Sequence, residues 1–265
     1  MTRIKTTEER RISYSEFKNW SECPYRHKLI YIDKKPYYSA NEYAAFGTAI
    51  HSVCEKIFSH KEINLPEAFE EAFLKELLEV KKENQIVNKK LVKEMRSQAP
   101  AICQNVLPTM IEHFGDFEVI GIEEPLLEPI TEFDSYGKKF KGFIDLVIKT
   151  RDGKYHIIDW KTCSWGWSTA KKTDKIINYQ LTMYKNYFSK KHDIDPKDIE
   201  TYFALLKRTA KNNNVEIFRV TSGEKKTSNC LSSLERSVIN IEKGVKIKNR
   251  LSCKYCKFYQ TKDCV

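Results

Sequence analysis

The sequence predicts an α/β fold in which helices flank a central mixed β-sheet. Predicted helices come first, a cluster of strands follows near the middle, and the chain then continues as helix, strand, strand and helix. This order is typical of a sheet that helices cover on its faces. With 265 residues, of which 41% are apolar, the chain can bury a substantial core, and we expect a single domain over 1–265.

Each element follows from local patterns. A Ser cap predicts a helix over 13–31 that Cys23-Pro24 interrupts, and an apolar stripe at helical spacing (Phe46, Ile50, Val53, Ile57) predicts a helix over 42–59. Further helices are predicted as an insertion at about 65–114, at 174–191 and as a basic helix at 225–248. Strands are predicted from 117, around Phe133, through a hairpin at 141–162, at 201–206 and at 215–220.

The segment 141–162, KGFIDLVIKTRDGKYHIIDWKT, is the most informative part of the chain. A loop of Arg151-Asp152-Gly153, with Gly153 in a left-handed conformation, sets a register that places Asp145 opposite Asp159. Opposed residues share a face of the hairpin, and Lys161 lies two residues beyond Asp159. We therefore expect two carboxylates and an ammonium group to project together.

Two carboxylates this close repel each other unless a cation lies between them. A Mg²⁺ or Mn²⁺ ion held by Asp145 and Asp159 suits phosphodiester hydrolysis, and Lys161 can orient a water molecule or offset charge on the phosphate oxygens. The same triplet also fits an ordinary cross-strand salt bridge on a surface hairpin.

Two helical pairs can add to this group. Gly47 and His51 lie one turn apart, and a neutral imidazole can complete a carboxylate metal site and favour Mn²⁺. Gln180 and Tyr184 are also one turn apart, where an amide and a phenol can contact phosphate or bases.

Some neighbouring residues leave two interpretations open. Glu123 and Glu124 can supply a further carboxylate or form a solvated edge. Trp165, Trp167 and Tyr179 follow the second strand of the hairpin, where they either stack on unpaired bases or belong to the core.

The cysteines form a second group near the chain ends. Cys253 and Cys256 are in a C-x-x-C motif, Cys264 follows, and Cys23 is the fourth candidate. Four thiolates bind zinc or an iron–sulfur cluster, and the spacing alone leaves both open. Either metal would join the segments 13–30 and 250–265 into one module. The remaining cysteines are predicted to be small buried side chains.

The net charge of +10 favours a polyanionic partner such as nucleic acid. No apolar run is long enough to span a bilayer, and the first residues lack the apolar segment of a secretion signal. We expect an intracellular protein, from a phage or prokaryotic setting, whose cysteines are reduced or bind metal.

Six short fragments, in this order, resemble the RecB-like branch of the PD-(D/E)XK nuclease superfamily, in particular its iron–sulfur members. Those members include AddB-type nucleases and CRISPR-adaptation exonucleases. The fragments are SYSEFKNWSECPYR at 13–26, GTAIH at 47–51, GFID at 142–145, IIDWKT at 157–162, QLTMY at 180–184, and CKYC at 253–256 with Cys264. Ile144 stands where the family pattern has a proline before the first aspartate.

The resemblance implies roles for these residues. His51, Asp145, Asp159 and the Trp160 carbonyl would bind the divalent metal, and Lys161 would be the catalytic lysine. Gln180 and Tyr184 would contact DNA. A [4Fe–4S] cluster would be bound by Cys23, Cys253, Cys256 and Cys264.

The leading hypothesis is a metal-dependent deoxyribonuclease, expected to act as an exonuclease on single-stranded or frayed DNA ends in recombination, repair, DNA processing or defence. The chain has no G-x-x-x-x-G-K-[ST] motif, so any helicase or recombination partner would be separate. An oligomer is compatible with the sequence. The alternatives are a nucleic-acid-binding or assembly subunit with a vestigial site and, from another class, a cluster-based redox sensor.

Overall fold

The structure is a computed structural model that describes residues 10–37, 40–59, 62–83, 85–132 and 137–265. The strand character expected around Phe133 lies outside the described residues. None of the helices within the described ranges is both long enough and apolar enough to cross a lipid bilayer.

The regular elements alternate in the order that the sequence predicts. In chain order they are β1 (Arg11–Ser13), α1 (Tyr14–Glu22), α2 (Pro24–His27), a π-helical turn (Lys28–Ile32), α3 (Glu42–Ser59), α4 (Leu65–Lys82), α5 (Lys89–Phe114), β2 (Phe117–Pro129), β3 (Lys139–Thr150), β4 (Tyr155–Cys163), α6 (Thr169–Lys172), α7 (Lys175–His192), a 3₁₀ turn (Pro196–Asp198), β5 (Ile199–Lys207), β6 (Val215–Arg219), α8 (Glu224–Glu242) and a 3₁₀ helix (Arg250–Tyr255).

Local chemistry explains where several helices begin and end. The Ser13 hydroxyl accepts a hydrogen bond from the Glu16 N–H and caps α1, which ends at Cys23 before Pro24 starts α2. The Asp174 carboxylate caps α7 in the same way. Helix α8 ends at Glu242 rather than at the expected residue 248, because Gly244, with φ +68°, turns the chain out of the helix.

Within the described residues, the strands form one mixed six-stranded sheet. The order β1-β3-β4-β5-β6 places parallel neighbours at β1–β3 and β4–β5, and β2 runs antiparallel along β3. The sequence-predicted mixed sheet is confirmed. The short strand β1 has no sequence pattern of its own and was not predicted.

Helices cover both faces of this sheet. One core layer lies between the sheet and helices α3, α4 and α5, and it includes Leu146, Ile158 and Trp160. The other lies between the sheet and helices α1, α7 and α8, and it includes Val147 and Phe203. The burial of both sheet faces explains why the central strands are rich in apolar residues.

A gap in strand pairing positions the central acidic residues. β2 occupies one edge of β3 along residues 139–150, so β1 and β4 share the other edge. On that edge, β1 pairs with 139–141 and β4 pairs with 146–149, which leaves 142–145 between the two ladders within the described residues. Asp145 therefore lies where the sheet opens.

Candidate active site and metal centre

The hairpin of β3 and β4 has the expected register. Its loop is Arg151-Asp152-Gly153, Gly153 has φ +85°, and the Thr150 N–H donates to the Lys154 carbonyl at 3.0 Å. The ladder continues from Lys149–Tyr155 to Leu146–Ile158, so the next opposed positions are Asp145 and Asp159. We call Asp145, Asp159, Lys161, His51 and the Trp160 main chain the carboxylate site.

Asp159 is the most buried acid of the carboxylate site, with 2% of the residue exposed. Its Oδ1 accepts a hydrogen bond from Gln180 Nε2 at 2.7 Å. Its Oδ2 forms an ion pair with Lys161 Nζ at 2.5 Å, and no described residue donates a hydrogen bond to it. A buried carboxylate oxygen beside a cationic group is of the type that binds hard metal ions.

The side chain of Asp145 bonds to the main chain of the neighbouring strand. Its Oδ2 accepts a hydrogen bond from the Trp160 N–H at 2.7 Å, beyond the point where the β3–β4 ladder ends. Burial raises the pKa of Asp145 well above its usual range, and the Asp159 carboxylate raises it further, while Lys161 and the Trp160 N–H oppose the shift. The two acids are therefore held together at a free-energy cost that a cation would offset.

His51 reaches the acids from α3, on the face of the sheet opposite α7. Its Nδ1 lies 3.8 Å from Asp145 Oδ2, and it also forms a hydrogen bond with the Trp160 main chain. Burial lowers the pKa of His51 to about 4, and the Lys161 ammonium lowers it too, against the opposing effects of Asp159 and Trp160. The imidazole is neutral near pH 7, which is the form that binds metals.

Gly47 allows α3 to approach the hairpin closely. A Cβ atom at this position would lie 3.0 Å from Thr162 Oγ1 on β4. The spacing of Gly47 and His51 in the sequence thus combines a close helix–strand contact with an imidazole one turn further along.

In the structure, Gln180 and Tyr184 make their hydrogen bonds within the protein. Gln180 donates to Asp159 and, at 3.2 Å, to the Tyr184 hydroxyl, and both residues are buried. A Cβ atom on Gly142 would lie 2.9 Å from Tyr184 Cε1, so the glycine of the GFID fragment makes room for this ring. The predicted contact of both residues with DNA stays a prediction, and their observed contacts orient Asp159.

The two neighbouring glutamates differ in their surroundings. Glu124 pairs with Lys191 at 2.7 Å and His192 at 2.9 Å, as expected of a solvated edge. Glu123 is opposite Asp145 in the β2–β3 register, and burial raises its pKa, with further contributions from Glu55 and Asp159. Glu55 was not singled out from the sequence, although it lies one helical turn after His51.

The cysteines predicted to bind a cluster lie around one cavity. It is lined by Cys23, Cys253, Cys256 and Cys264, so residues more than 200 positions apart in sequence are neighbours. We call it the cysteine cavity. The Asn249 N–H donates to Cys23 Sγ at 3.4 Å, and Asn249 Nδ2 and Ser252 Oγ both donate to the Glu22 carbonyl. Of the other cysteines, Cys54, Cys103 and Cys230 are buried as predicted, and Cys163 is half-buried.

Both candidate metal sites have suitable donor atoms in the right part of the fold. Among the residues that the structure describes, however, no group of three or more His, Cys, Asp or Glu side chains is arranged to hold a metal ion. In the carboxylate site the acids are instead turned toward Trp160, Gln180 and Lys161. The donor types of the carboxylate site fit a hard divalent cation, and the thiols of the cysteine cavity fit a soft metal.

Sequence reasoning missed a cavity of about 480 Å³ beside Lys161. Its walls come from α1, the end of β4, the start of α7 and the 3₁₀ helix Arg250–Tyr255. These segments are far apart in sequence, and no motif joins them. We call this space the basic cavity.

A family model and two solved structures are similar to this chain. A family model of the PD-(D/E)XK nuclease superfamily matches residues 11–261. The crystal structure of a "Putative exonuclease" from Eubacterium rectale superimposes with a TM-score of 0.56 at 12% identity, over 94% of this chain and 88% of that chain. The crystal structure of SSO0001 is 15% identical over 96% of this chain and 85% of that chain, with a TM-score of 0.43.

No curated protein sequence matches the chain significantly. At 12% identity the Eubacterium rectale structure shows a shared fold only. The family model carries more weight, because it spans nearly all of the described residues, including both strands of the hairpin, His51 and three of the cysteines of the cysteine cavity. The chain belongs to the PD-(D/E)XK nuclease superfamily.

Proposed function

We propose that this protein is a metal-dependent deoxyribonuclease that hydrolyses phosphodiester bonds at the carboxylate site. The observation that carries the proposal is the buried Asp159 Oδ2, which has no hydrogen-bond partner and lies beside both the Lys161 ammonium and a second acid. Membership of a nuclease superfamily and the net charge of +10 support a nucleic acid as the substrate.

Asp145, Asp159, His51 and the Trp160 carbonyl are the proposed ligands of Mg²⁺ or Mn²⁺. When bound, such an ion neutralises charge on the phosphate and lowers the pKa of a water molecule. In hydrolysis the water oxygen bonds to phosphorus and gives up a proton, the bond from phosphorus to one sugar oxygen breaks, and that sugar oxygen takes up a proton from solvent. The Lys161 ammonium lies close enough to Asp159 to offset charge that develops on the phosphate oxygens.

The supporting residues hold this arrangement in place. Gln180 fixes one oxygen of Asp159, and the Trp160 N–H fixes one oxygen of Asp145, so neither carboxylate has to be oriented during the reaction. The Tyr184 hydroxyl accepts a second hydrogen bond from Gln180 Nε2.

The proposal extends to the form of the DNA substrate and to the cellular process that the enzyme serves. We propose exonuclease action on single-stranded or frayed ends, in recombination, repair, DNA processing or defence, together with a separate helicase or recombination partner. The absence of a nucleotide-binding phosphate loop from this sequence supports the separate helicase.

The test is cleavage of end-labelled single- and double-stranded DNA in the presence of Mg²⁺ or Mn²⁺. Asp159→Asn and Lys161→Ala should each lower kcat by about 10³-fold or more, because they remove a metal ligand and the nearby positive charge. Asp193→Asn is the matched control, since Asp193 is exposed and its φ of +53° suits asparagine. Unchanged cleavage in both site variants would refute the site, and DNA binding without cleavage in the wild type would favour a vestigial binding subunit.

We also propose that Cys23, Cys253, Cys256 and Cys264 bind a [4Fe–4S] cluster, as in the iron–sulfur RecB-like nucleases. Their common cavity and the N–H donor directed at Cys23 Sγ support this assignment. Protein purified without oxygen should contain iron and show broad visible absorbance. Zinc in its place, under iron-replete conditions, would overturn the assignment.

A further inference from the structure

The basic cavity adjoins the carboxylate site on one side only. Lys161 and Gln180 line it, whereas Asp145 and His51 do not. A phosphate positioned at Lys161 would therefore have one of its two attached nucleotides directed into this space. At about 480 Å³, the cavity is within the range of pockets that hold small organic ligands, roughly 300–1,000 Å³.

Cationic groups surround the cavity. Lys18, Arg26, Lys161 and Lys171 line it, with Glu22 as a nearby acid. Glu22 pairs with Arg26 and lies 3.9 Å from Lys18. Burial lowers the pKa of Lys171; Cys163 opposes this shift, and the Lys18 and Lys161 ammonium groups add to it. Lys171 has no acidic partner among the described residues, so a phosphate in the cavity could pair with it.

Aromatic rings form a further part of the wall. Tyr14, Tyr37, Trp167 and Tyr255 line the cavity. Tyr255 is 83% exposed and has little packing to lose. Trp167 packs on Phe203 and Phe218 and has Lys171 Nζ 4.3 Å from its ring centroid. Interleaved cations and aromatic rings are how proteins bind unpaired nucleic acid, because each base can stack while each phosphate meets a positive charge.

We infer that the basic cavity is a subsite for one unpaired nucleotide adjacent to the scissile phosphate, in which Tyr255 stacks on the base and Lys18 and Lys171 hold the next phosphate. This subsite rests on the proposed function, because it names the substrate form that the same site accepts. A base within a duplex is already stacked between its neighbours, so it would have to leave the duplex before it could stack on Tyr255. The cavity thereby selects single-stranded or frayed ends.

Binding of fluorescent DNA to the full chain tests the subsite without cleavage. Affinities are measured by anisotropy, without added divalent ions, for a single strand and for a blunt duplex of the same length. Tyr255→Ala should weaken single-strand binding roughly tenfold, in line with the stacking free energy of one base, and leave duplex binding unchanged. Tyr255→Phe should restore wild-type affinity, because it keeps the ring. Tyr43→Ala is the control, an exposed tyrosine outside the cavity.

The lysines give an independent readout through salt. Lys18→Ala with Lys171→Ala should reduce the slope of log affinity against log salt by about 1.4 for a single strand, or about 0.7 for each lost phosphate contact. Lys93→Ala, on the opposite face of the sheet, is the matched control.

The outcomes separate the subsite from the nuclease proposal. Wild-type single-strand affinity and salt slope in the cavity variants, or equal losses on single strand and duplex, would overturn the subsite even if the enzyme cleaves DNA. A wild-type protein that cleaves no DNA, but whose cavity variants lose single-strand affinity as stated, would overturn the proposed function alone.

Discussion

The carboxylate site and the cysteine cavity differ in what holds their side chains in position. The acids are on long central strands, between two helical layers, and hydrogen bonds from Gln180 and the Trp160 main chain orient them. The protein therefore holds the two acids close together by itself, and we expect a bound metal ion to draw them from these partners into a ligand set.

The cysteine cavity has much less support. Cys23 lies between two helices, and the other three cysteines lie in a 3₁₀ helix, turns and isolated bridges. Among the described residues, the buried members of the small core beside them are Leu29, Phe258 and Cys264. A segment with so small a core depends on cross-links, so we expect metal binding there to stabilise the fold. Because of this difference, we expect the carboxylate site to serve chemistry and a metal in the cysteine cavity to hold two distant segments together.

The largest expected effect on stability is at the cysteine cavity. Replacing Cys253 and Cys256 together with serine should destabilise the protein by several kcal/mol, since structural metal sites contribute on the order of 10 kcal/mol. Residues 249–265 should also lose protection in hydrogen exchange. Cys163→Ser, outside the cavity, is the control. Melting and exchange indistinguishable from that control would show that the cavity holds no stabilising metal.

A smaller loss of stability should follow from a substitution that displaces Tyr184, which contacts the Gln180 side chain that orients Asp159. In Gly142→Ala the new methyl group would lie 2.9 Å from Tyr184 Cε1, and displacement of this ring would disturb the hydrogen bond from Gln180. We expect kcat to fall about tenfold and the free energy of unfolding to fall by ~1–3 kcal/mol.

Gly223→Ala is the control for this crowding, because no atom lies within 4 Å of its added Cβ. Its kcat should be unchanged and its stability altered by less than ~1 kcal/mol. Equal activities for the two glycine variants would contradict the role of Tyr184 in orienting Asp159.

The smallest expected effect on stability is a gain rather than a loss. Because burial and Asp159 raise the pKa of Asp145 in the folded state, its ionised form destabilises the protein at pH values above the pKa of the unfolded state. Without added metal, Asp145→Asn should therefore stabilise the protein by about 1 kcal/mol at pH 7, while abolishing cleavage. Thermal melting at pH 7 measures this change. A lower melting temperature than that of the wild type would mean that Asp145 serves the fold rather than the site.

The sequence predicted the parts of the carboxylate site that depend on local geometry. A glycine-closed loop sets the hairpin register, so Asp145 and Asp159 were expected together, and the structure has this register. Helix α3 was expected over 42–59 because its apolar residues repeat at helical spacing, and it has those bounds. His51 was expected beside the acids from its position one helical turn after Gly47 and from the family resemblance.

Features that depend on distant segments were beyond sequence reasoning. The strand β1 has three residues and pairs only because the open edge of β3 lies beside it. Gln180 was expected to contact DNA. Its hydrogen bond to Asp159 becomes visible only when α7 is packed against the sheet and Gln180 is buried. Residues of α1 and Tyr255 line the basic cavity together, and no local sequence pattern predicts that these distant segments lie close to each other.

The most direct test of the account is whether the carboxylate site binds one divalent ion through its acids and its imidazole. Electron paramagnetic resonance of bound Mn²⁺ measures both the affinity and the nitrogen coupling of a histidine ligand. The account predicts a tight site with nitrogen coupling in the wild type and in Asp193→Asn, loss of the coupling in His51→Ala, and loss of tight binding in Asp159→Asn. Mn²⁺ bound equally well by Asp159→Asn, or without nitrogen coupling in the wild type, would contradict it.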